Sequence, residues 1–308
     1  MKIKIATRAS ALALWQSEHI ADLLRQKGHE VELITMKTKG DVILDTPLAK
    51  IGGKGLFTKE LENALLNENA DIAVHSLKDV PTRFEPGLEL ACVCSRENPS
   101  DALLSMKYSR LENLPLGAKV GTTSLRRQMQ IRALRPDLEL ISLRGNVNSR
   151  IQKLKDGIFD AIILANAGIA RLNLNFLVSH VSTLDTIPAM GQGALGIEIA
   201  SKNSAIKEAI AFLDDEKTRI ETSVERAFVD TLNGGCQAPI GVNAVLNGQK
   251  ISIKAVLGLV DGSKMLSDNR IYDKSEYLSA GVDFANSFIA RGAKELLALS
   301  EKMLENFK

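Results

Sequence analysis

Short apolar runs alternate with longer amphipathic stretches from Lys2 to Ala165, and this alternation restricts the chain to an α/β architecture. Lys2–Thr7 reads as a strand, followed by a helix from an N-cap at Ser10 to Lys27, where Gly28 stops it. Glu30–Met36 is a second strand. Gly55–Asn67 is amphipathic, with Leu56, Phe57, Leu61, Ala64 and Leu65 on one side, and Asp71–His75 and Leu88–Cys94 are strands. A second series repeats the pattern: strand Lys119–Gly121, helix Ser124–Leu134, strand Leu138–Leu143, helix Val147–Lys155 and strand Asp160–Ala165. Two α/β units with mostly parallel sheets are expected.

After these units the pattern changes. Thr218–Leu232 is a strong helix, with Thr218 and Glu221 spaced as a capping box. Strands Gly241–Leu246, Ile251–Val260 and Lys264–Tyr272 follow, and a last helix is expected from Ser279 to Phe307. This order implies a small α+β domain at the end of the chain.

A length of 308 residues accommodates two or three domains, and 45% hydrophobic with 25% charged residues is an ordinary globular composition. The longest apolar run, Ala161–Ala170, is far shorter than the ~20 residues that span a bilayer. The N-terminal segment has no apolar stretch of the secretory kind, so a cytoplasmic location without membrane contact is expected. The cysteines Cys92, Cys94 and Cys236 are odd in number and suggest no disulfide framework. Cys92 and Cys94 share one face of a strand and read as core thiols. The four histidines are scattered singly, so no metal site is expected.

The net charge of +2 hides an uneven distribution. Residues 119–171 carry 10 basic and 4 acidic side chains, and seven of those basic residues are arginine. Arg126 and Arg127 open a helix after Gly121-Thr122-Thr123-Ser124. Arg144 follows a strand in Leu143-Arg144-Gly145-Asn146, Arg150 lies on the next helix, and Arg171 follows the run Ala161–Ala170. In an α/β sheet such positions converge on one crevice, where guanidinium forks and helix N-termini bind anions. The alternative is a solvated basic face. Asp79, in His75-Ser76-Leu77-Lys78-Asp79 at a strand end, is either half of a surface ion pair or a lone carboxylate facing that cleft. Cys236 follows Gly234-Gly235 and precedes Pro239. It is therefore either an accessible thiol on a loop or a thiol packed under a turn. Gly52-Gly53-Lys54-Gly55 lacks the spacing of a nucleotide-binding loop.

Taken in order, these motifs resemble the porphobilinogen deaminase (hydroxymethylbilane synthase) family. The resemblance runs from Thr7-Arg8-Ala9-Ser10 to Pro239-Ile240-Gly241. It includes Gly40–Asp45, Gly52–Phe57, His75–Thr82, Ser124–Gln128, Leu143–Asn146, Gly191-Gln192-Gly193 and Glu225–Gln237. It implies two periplasmic-binding-protein-like α/β domains, residues 1–96 with 194–213 and residues 99–190, flanking a cleft. An α+β domain over 215–308 would carry the cofactor cysteine. It also implies a cytoplasmic, monomeric transferase of tetrapyrrole (haem) biosynthesis, with a dipyrromethane cofactor joined to Cys236 by a thioether. Four porphobilinogen molecules are condensed head to tail onto this primer with loss of ammonia, and hydrolysis then releases hydroxymethylbilane.

By the same resemblance Asp79 is the catalytic residue. Ser76, Lys78, Asp79, Thr122, Ser124, Arg126, Arg127, Arg144 and Gly145 bind the cofactor, whereas Arg8, Ser10, Arg144, Arg150 and Arg171 bind substrate, with Arg96 a further position. Thr123, Ser149 and Met129 depart from common family residues without removing any of these roles. The stretch Lys39–Lys54 is expected to form a flap. A non-enzymatic receptor for a polycarboxylate is the competing reading, disfavoured by the Gly-Gly-Cys loop. A nucleic-acid binder is disfavoured by 4% aromatic content.

Overall fold

The computed structural model describes residues 1–42, 55–235 and 237–306. The chain begins with β1 (Lys2–Arg8), α1 (Ala11–Gln26), β2 (Glu30–Met36), α2 (Lys39–Val42), α3 (Lys59–Leu66), β3 (Ile72–Ser76) and β4 (Leu88–Val93). It then crosses over to build β5 (Asp101–Ser105), β6 (Lys119–Gly121), α4 (Leu125–Leu134), β7 (Glu139–Ile141), α5 (Val147–Lys155), β8 (Ala161–Ala165), α6 (Asn166–Arg171) and β9 (His180–Thr183). A second crossing leads back to β10 (Leu195–Ala200) and α7 (Ser204–Ile210). After these come α8 (Glu216–Thr231), β11 (Ile240–Asn247), β12 (Lys250–Gly258), β13 (Met265–Asp273), α9 (Tyr277–Ile289) and α10 (Ala293–Asn306).

Two α/β domains result, each with a five-stranded sheet, in the orders β2-β1-β3-β10-β4 and β7-β6-β8-β5-β9. In each, one strand runs against the others: β10 is antiparallel to β3 and β4, and β5 is antiparallel to β8 and β9. The sheets are therefore more mixed than the expected parallel ones. β5 and β10 each begin just after a crossing and run away from it, whereas the parallel strands run towards it. The sequence reading passed over β5, β9 and β10, because a fully buried strand such as Leu195–Ala200 shows no alternation.

The helices bury periodic faces. α1 turns Ala13, Gln16, Ser17, Ile20, Ala21 and Leu24 inward and is capped by Ser10, whose side chain accepts from the Ala13 N–H. Its apolar face completes a core with Ile3, Ile5, Ile72, Val74 and Ile197. Cys92 and Cys94 lie in that core, where burial pushes both thiols up to about 12, so they stay protonated and unreactive.

The third domain packs α8, α9 and α10 against the antiparallel sheet β11-β12-β13, around a cluster of Phe228, Phe284 and Phe288. Two expectations need correction here. The cap of α8 is Asp215, which accepts from the Thr218 N–H, because an aspartate three residues earlier offers the better acceptor. The final helix is also broken into α9 and α10. Gly292 holds φ +86 between them, which folds α10 back onto β12. Of the expected flap Lys39–Lys54, only the first four residues are described, as α2, and residues 43–54 lie outside the described residues.

Candidate active site

The C-terminal ends of β1 and β3, and of β6, β7 and β8, carry nearly every side chain singled out from the sequence. β3 ends at Ser76, and a tight turn over Leu77–Asp79 brings Lys78 and Asp79 to the sheet edge. Across from them, Thr122 and Ser124 follow β6. The Ser124 hydroxyl accepts from the Arg127 N–H and starts α4 in the register that places Arg126 and Arg127 in its first turn. Arg144 follows β7, and Gly145 turns the chain there with φ +115. That φ strains any residue with a Cβ, which would also lie 2.2 Å from Ser149 Oγ, so glycine is favoured here. The Gly145 carbonyl accepts from Arg150 Nε at 2.7 Å.

Several of these cations lie close enough to perturb one another. Arg150 is drawn down to about 10, chiefly by burial and then by the charges of Arg127 and Arg144, with Asp79 opposing. Lys78 is drawn down to about 8 by burial, with Arg127 and Arg126 adding to the effect and Asp79 and Asp101 opposing it. Lys78 of the first domain therefore lies within electrostatic reach of Arg126 and Arg127 of the second, and Asp79 within reach of Arg150, beside which Arg144 adds a further positive charge. Two carboxylates, Asp79 and Asp101, lie among these cations.

Arg126 and Arg127 do not stand as bare clamps. Both bind Asp101, the first residue of β5, with Arg126 Nη1 at 2.6 Å from Oδ2 and Arg127 Nη2 at 2.7 Å from Oδ1. Thr186 and Gln192 also donate to this carboxylate, at 3.1 and 2.9 Å. Burial by itself would raise the Asp101 pKa, but the two guanidinium charges hold it well below the usual carboxylate range. The sequence reading missed Asp101. Its signal was a carboxylate opening the otherwise uncharged run Asp101–Ser105, outside the arginine-rich window that it neutralises.

The other named positions are held in different ways. Arg8, at the end of β1 next to β3, is paired with Asp41 and lies over the Phe57 ring at 4.4 Å. Ser10 caps α1, and Ser76 Oγ accepts from Gln16 at 2.9 Å. Arg171 donates to the Gly193 carbonyl at 2.7 Å and lies 5.9 Å from the ring centre of Trp15 on α1, so it bridges the two α/β domains. Arg96 is buried against Glu225, with Nη1 to Oε1 at 2.7 Å and Nη2 to Oε2 at 3.1 Å, and its Nε donates to the Gln192 carbonyl. Its five donors are largely committed to a joint with the third domain, which removes it from the face of the cleft.

Cys236 lies outside the described residues, but its surroundings are described. α8 ends in a left-handed Asn233 at φ +53, and Gly234 follows in close packing, where a Cβ would lie 2.5 Å from Ile240. The same helix is docked on the loop that follows Asp79. Arg226 donates to the carbonyls of Val80 and Pro81, and Asp230 accepts from Thr82 at 2.8 Å and Arg83 at 2.9 Å. The third domain thus carries Gly234 and Gly235 just after a helix fastened to the segment Val80–Arg83 that follows Asp79.

The site suits a ligand rich in carboxylates. Arg126 Nε is buried with no hydrogen-bond partner among the described residues, and Lys78 and Arg150 keep partial exposure in the cleft. No group of three or more His, Cys, Asp or Glu among the described residues is arranged to hold a metal ion. No helix of the described residues is long and apolar enough to cross a membrane.

Comparison with known proteins gives a uniform result. A model described as "Porphobilinogen deaminase, dipyromethane cofactor binding domain" matches residues 3–208, and one described as "Porphobilinogen deaminase, C-terminal domain" matches residues 220–289. The porphobilinogen deaminase of Campylobacter fetus subsp. fetus is 69% identical over 304 residues, covering 99% of this chain and 100% of the relative. That of Campylobacter jejuni subsp. jejuni serotype O:2 is 58% identical over 309 residues, covering 99% and 100%. Among solved structures, the probable amino-acid ABC transporter extracellular-binding protein ytmK from Bacillus subtilis aligns with a TM-score of 0.45 at 14% identity. That alignment covers 69% of this chain and 90% of that one. The Bordetella pertussis BvgS periplasmic VFT2 domain aligns with a TM-score of 0.42 at 13% identity, covering 68% and 85%.

Proposed function

The chain belongs to the porphobilinogen deaminase family, and from that premise we propose that it is a transferase building hydroxymethylbilane from four porphobilinogen molecules. A dipyrromethane tethered by a thioether at Cys236 would be its primer, within a monomeric cytoplasmic enzyme. The observation that carries this reading is the gathering of Lys78 and Asp79 of the first domain with Arg126, Arg127 and Arg150 of the second, with Arg144 beside Arg150. When bound, the dipyrromethane supplies the terminal ring to which each new pyrrole is joined.

The remaining chemistry falls to side chains of this protein. Arg126, Arg127, Arg144 and Lys78 hold acetate and propionate groups of the growing chain, and Thr122 and Ser124 orient them from the turn before α4. Arg150, Arg171, Arg8 and Ser10 are assigned to the incoming substrate. The Asp79 carboxylate accepts from pyrrole N–H groups, so its charge favours the cation that develops as ammonia leaves. It is also the base that removes the ring proton once the new bond has formed. Arg96 is assigned the joint between domains, through Glu225, in preference to a substrate contact.

Intact mass spectrometry of the purified protein, after incubation with porphobilinogen, tests the proposal. An adduct of two linked pyrroles mapping to the peptide that contains Cys236 is expected. An unmodified protein that nonetheless turns over porphobilinogen would remove the tether from the mechanism.

Arg171 supplies a second test. Trp15 is the single tryptophan of the chain and Arg171 lies over its ring, so occupation of the cleft should perturb its emission. Adding porphobilinogen to the holoenzyme is expected to change Trp15 fluorescence, and Arg171→Leu should abolish most of the response. An undiminished response in that variant would detach Arg171 from the substrate.

A further inference from the structure

Gly191-Gln192-Gly193 lies on the second crossing between the α/β domains, and each of its residues is held from a different side. The Gly191 N–H donates to Glu225 Oε2 on α8 at 2.7 Å. The Gln192 carbonyl accepts from Arg96 Nε at 2.9 Å, and the Gly193 carbonyl accepts from Arg171 Nη2 at 2.7 Å. Neither glycine admits a side chain. Gly191 holds φ +65 with a Cβ position 2.9 Å from Leu77, and Gly193 holds φ +93 with one 2.3 Å from the Glu97 carbonyl. The backbone between them is therefore fixed from both ends.

The Gln192 side chain, 1% exposed, has one satisfactory orientation. Its Nε2 donates to Asp101 Oδ1 at 2.9 Å and to the Pro99 carbonyl at 2.6 Å. Both partners are pure acceptors, so the opposite amide orientation would set oxygen against oxygen. Oε1 is then directed at Lys78 Nζ, 3.4 Å away. A neutral amide thus links a cation of the first domain to the carboxylate that organises two arginines of the second.

We propose that Gln192 is a positioning residue for the reaction, its amide tying the Lys78 ammonium to the Asp101–Arg126–Arg127 cluster and holding that charge towards the carboxylates of the bound chain. This rests on the cleft being the pyrrole-carboxylate site proposed above. Among the described residues, the charged groups that act on Lys78 include Asp79 on its own turn, Asp101 on β5, and Arg126 and Arg127 on α4. The two arginines favour the neutral amine, and the two carboxylates and the Gln192 oxygen favour the ammonium. Burial draws Lys78 down to about 8, so a small loss of support moves it into the working range of pH.

The test follows Lys78 itself. Competitive acetylation of the holoenzyme across pH, with peptide mapping, should give a Lys78 midpoint near 8 in the unmodified sequence. Gln192→Met keeps the length but removes both the acceptor for Lys78 and the donor to Asp101 and the Pro99 carbonyl. It is expected to lower that midpoint by about one pH unit, the scale of one hydrogen bond to a charged group. The alkaline limb of kcat/KM for porphobilinogen should shift in the same direction. Gln192→Glu places a carboxylate beside Lys78 and should shift both upward, with a loss of stability because its second oxygen replaces the donor to Asp101 and Pro99. Gln192→Asn keeps the amide one methylene short, and should the methionine variant not fold it is expected to show the same downward shift in smaller degree. Unchanged midpoints with reduced rate or stability alone would overturn the proposal and leave Gln192 a structural link. A chain that does not turn over porphobilinogen would overturn the functional reading instead, while the acetylation midpoints would still report on the Gln192–Lys78 contact.

Discussion

Asp79→Asn is expected to retain the covalent adduct and lower turnover of porphobilinogen by about 10²–10⁴-fold, the range for loss of a positioned acid–base group. The substitution preserves shape, so the turn Leu77–Asp79 and the neighbouring Lys78 should stay in place. What it removes is the negative charge within reach of Arg150 and Lys78, and with it the capacity to take a proton. An asparagine can still meet a pyrrole N–H through its carbonyl oxygen. A loss concentrated in kcat would therefore assign the effect to charge and proton transfer, and not to binding. The measurement pairs intact mass with initial rates on the same sample. A variant carrying the adduct and working within a few-fold of the unmodified rate would remove Asp79 from the chemistry.

Asp101→Asn should have the largest effect on stability. Arg126 and Arg127 are 3% and 7% exposed and share this carboxylate, so its removal leaves two adjacent guanidinium charges buried against little more than the carbonyls of Ile187 and Ile163. Breaking a buried ion pair from one side costs about 3–5 kcal/mol, because the remaining charge stays desolvated. Denaturant unfolding should show a loss of that order, accompanied by poor retention of the adduct as the arginines move. A loss below about 1 kcal/mol would mean that water or another acceptor replaces Asp101. The folded-state pKa of Asp101 is depressed below its ordinary value of 3.8. Its stabilisation is accordingly full above that pH and is lost only as pH falls further, when the unfolded chain takes up the proton first. The variant should therefore differ most from the unmodified protein at neutral pH and least in strong acid.

Much of the fold was legible along the chain because its signals are local. Ser10 and Ser124 announce helix starts within three residues of the N–H groups they accept from, and Gly28 announces a stop. The strands Lys2–Arg8 and Glu30–Met36 alternate or cluster apolar residues enough to be seen. Buried strands such as β10 lack that alternation, and the start of α6 at Asn166 was hidden inside the run Ala161–Ala170. Single residues also decided two helix boundaries against the pattern. Asp215 outcompeted Thr218 as a cap, and Gly292 split what periodicity reads as one helix.

The candidate site divides in the same way. Arginines placed after strands and in first helical turns already implied a cleft for a polyanion, and the ordered motifs already implied the family. Only the tertiary structure decided which partner each arginine meets. Arg96 and Glu225 lie 129 positions apart and Arg126 lies 25 from Asp101, and no periodicity or spacing rule pairs residues at such separations. Two crossings between the α/β domains bring them together, by placing β5 and β10 inside sheets whose other strands run the opposite way. The sequence by itself determined the kinds of charge and the elements that carry them. The partner of each buried charge was decided by packing, because a guanidinium or carboxylate removed from water must find its counterpart wherever the folded chain places one.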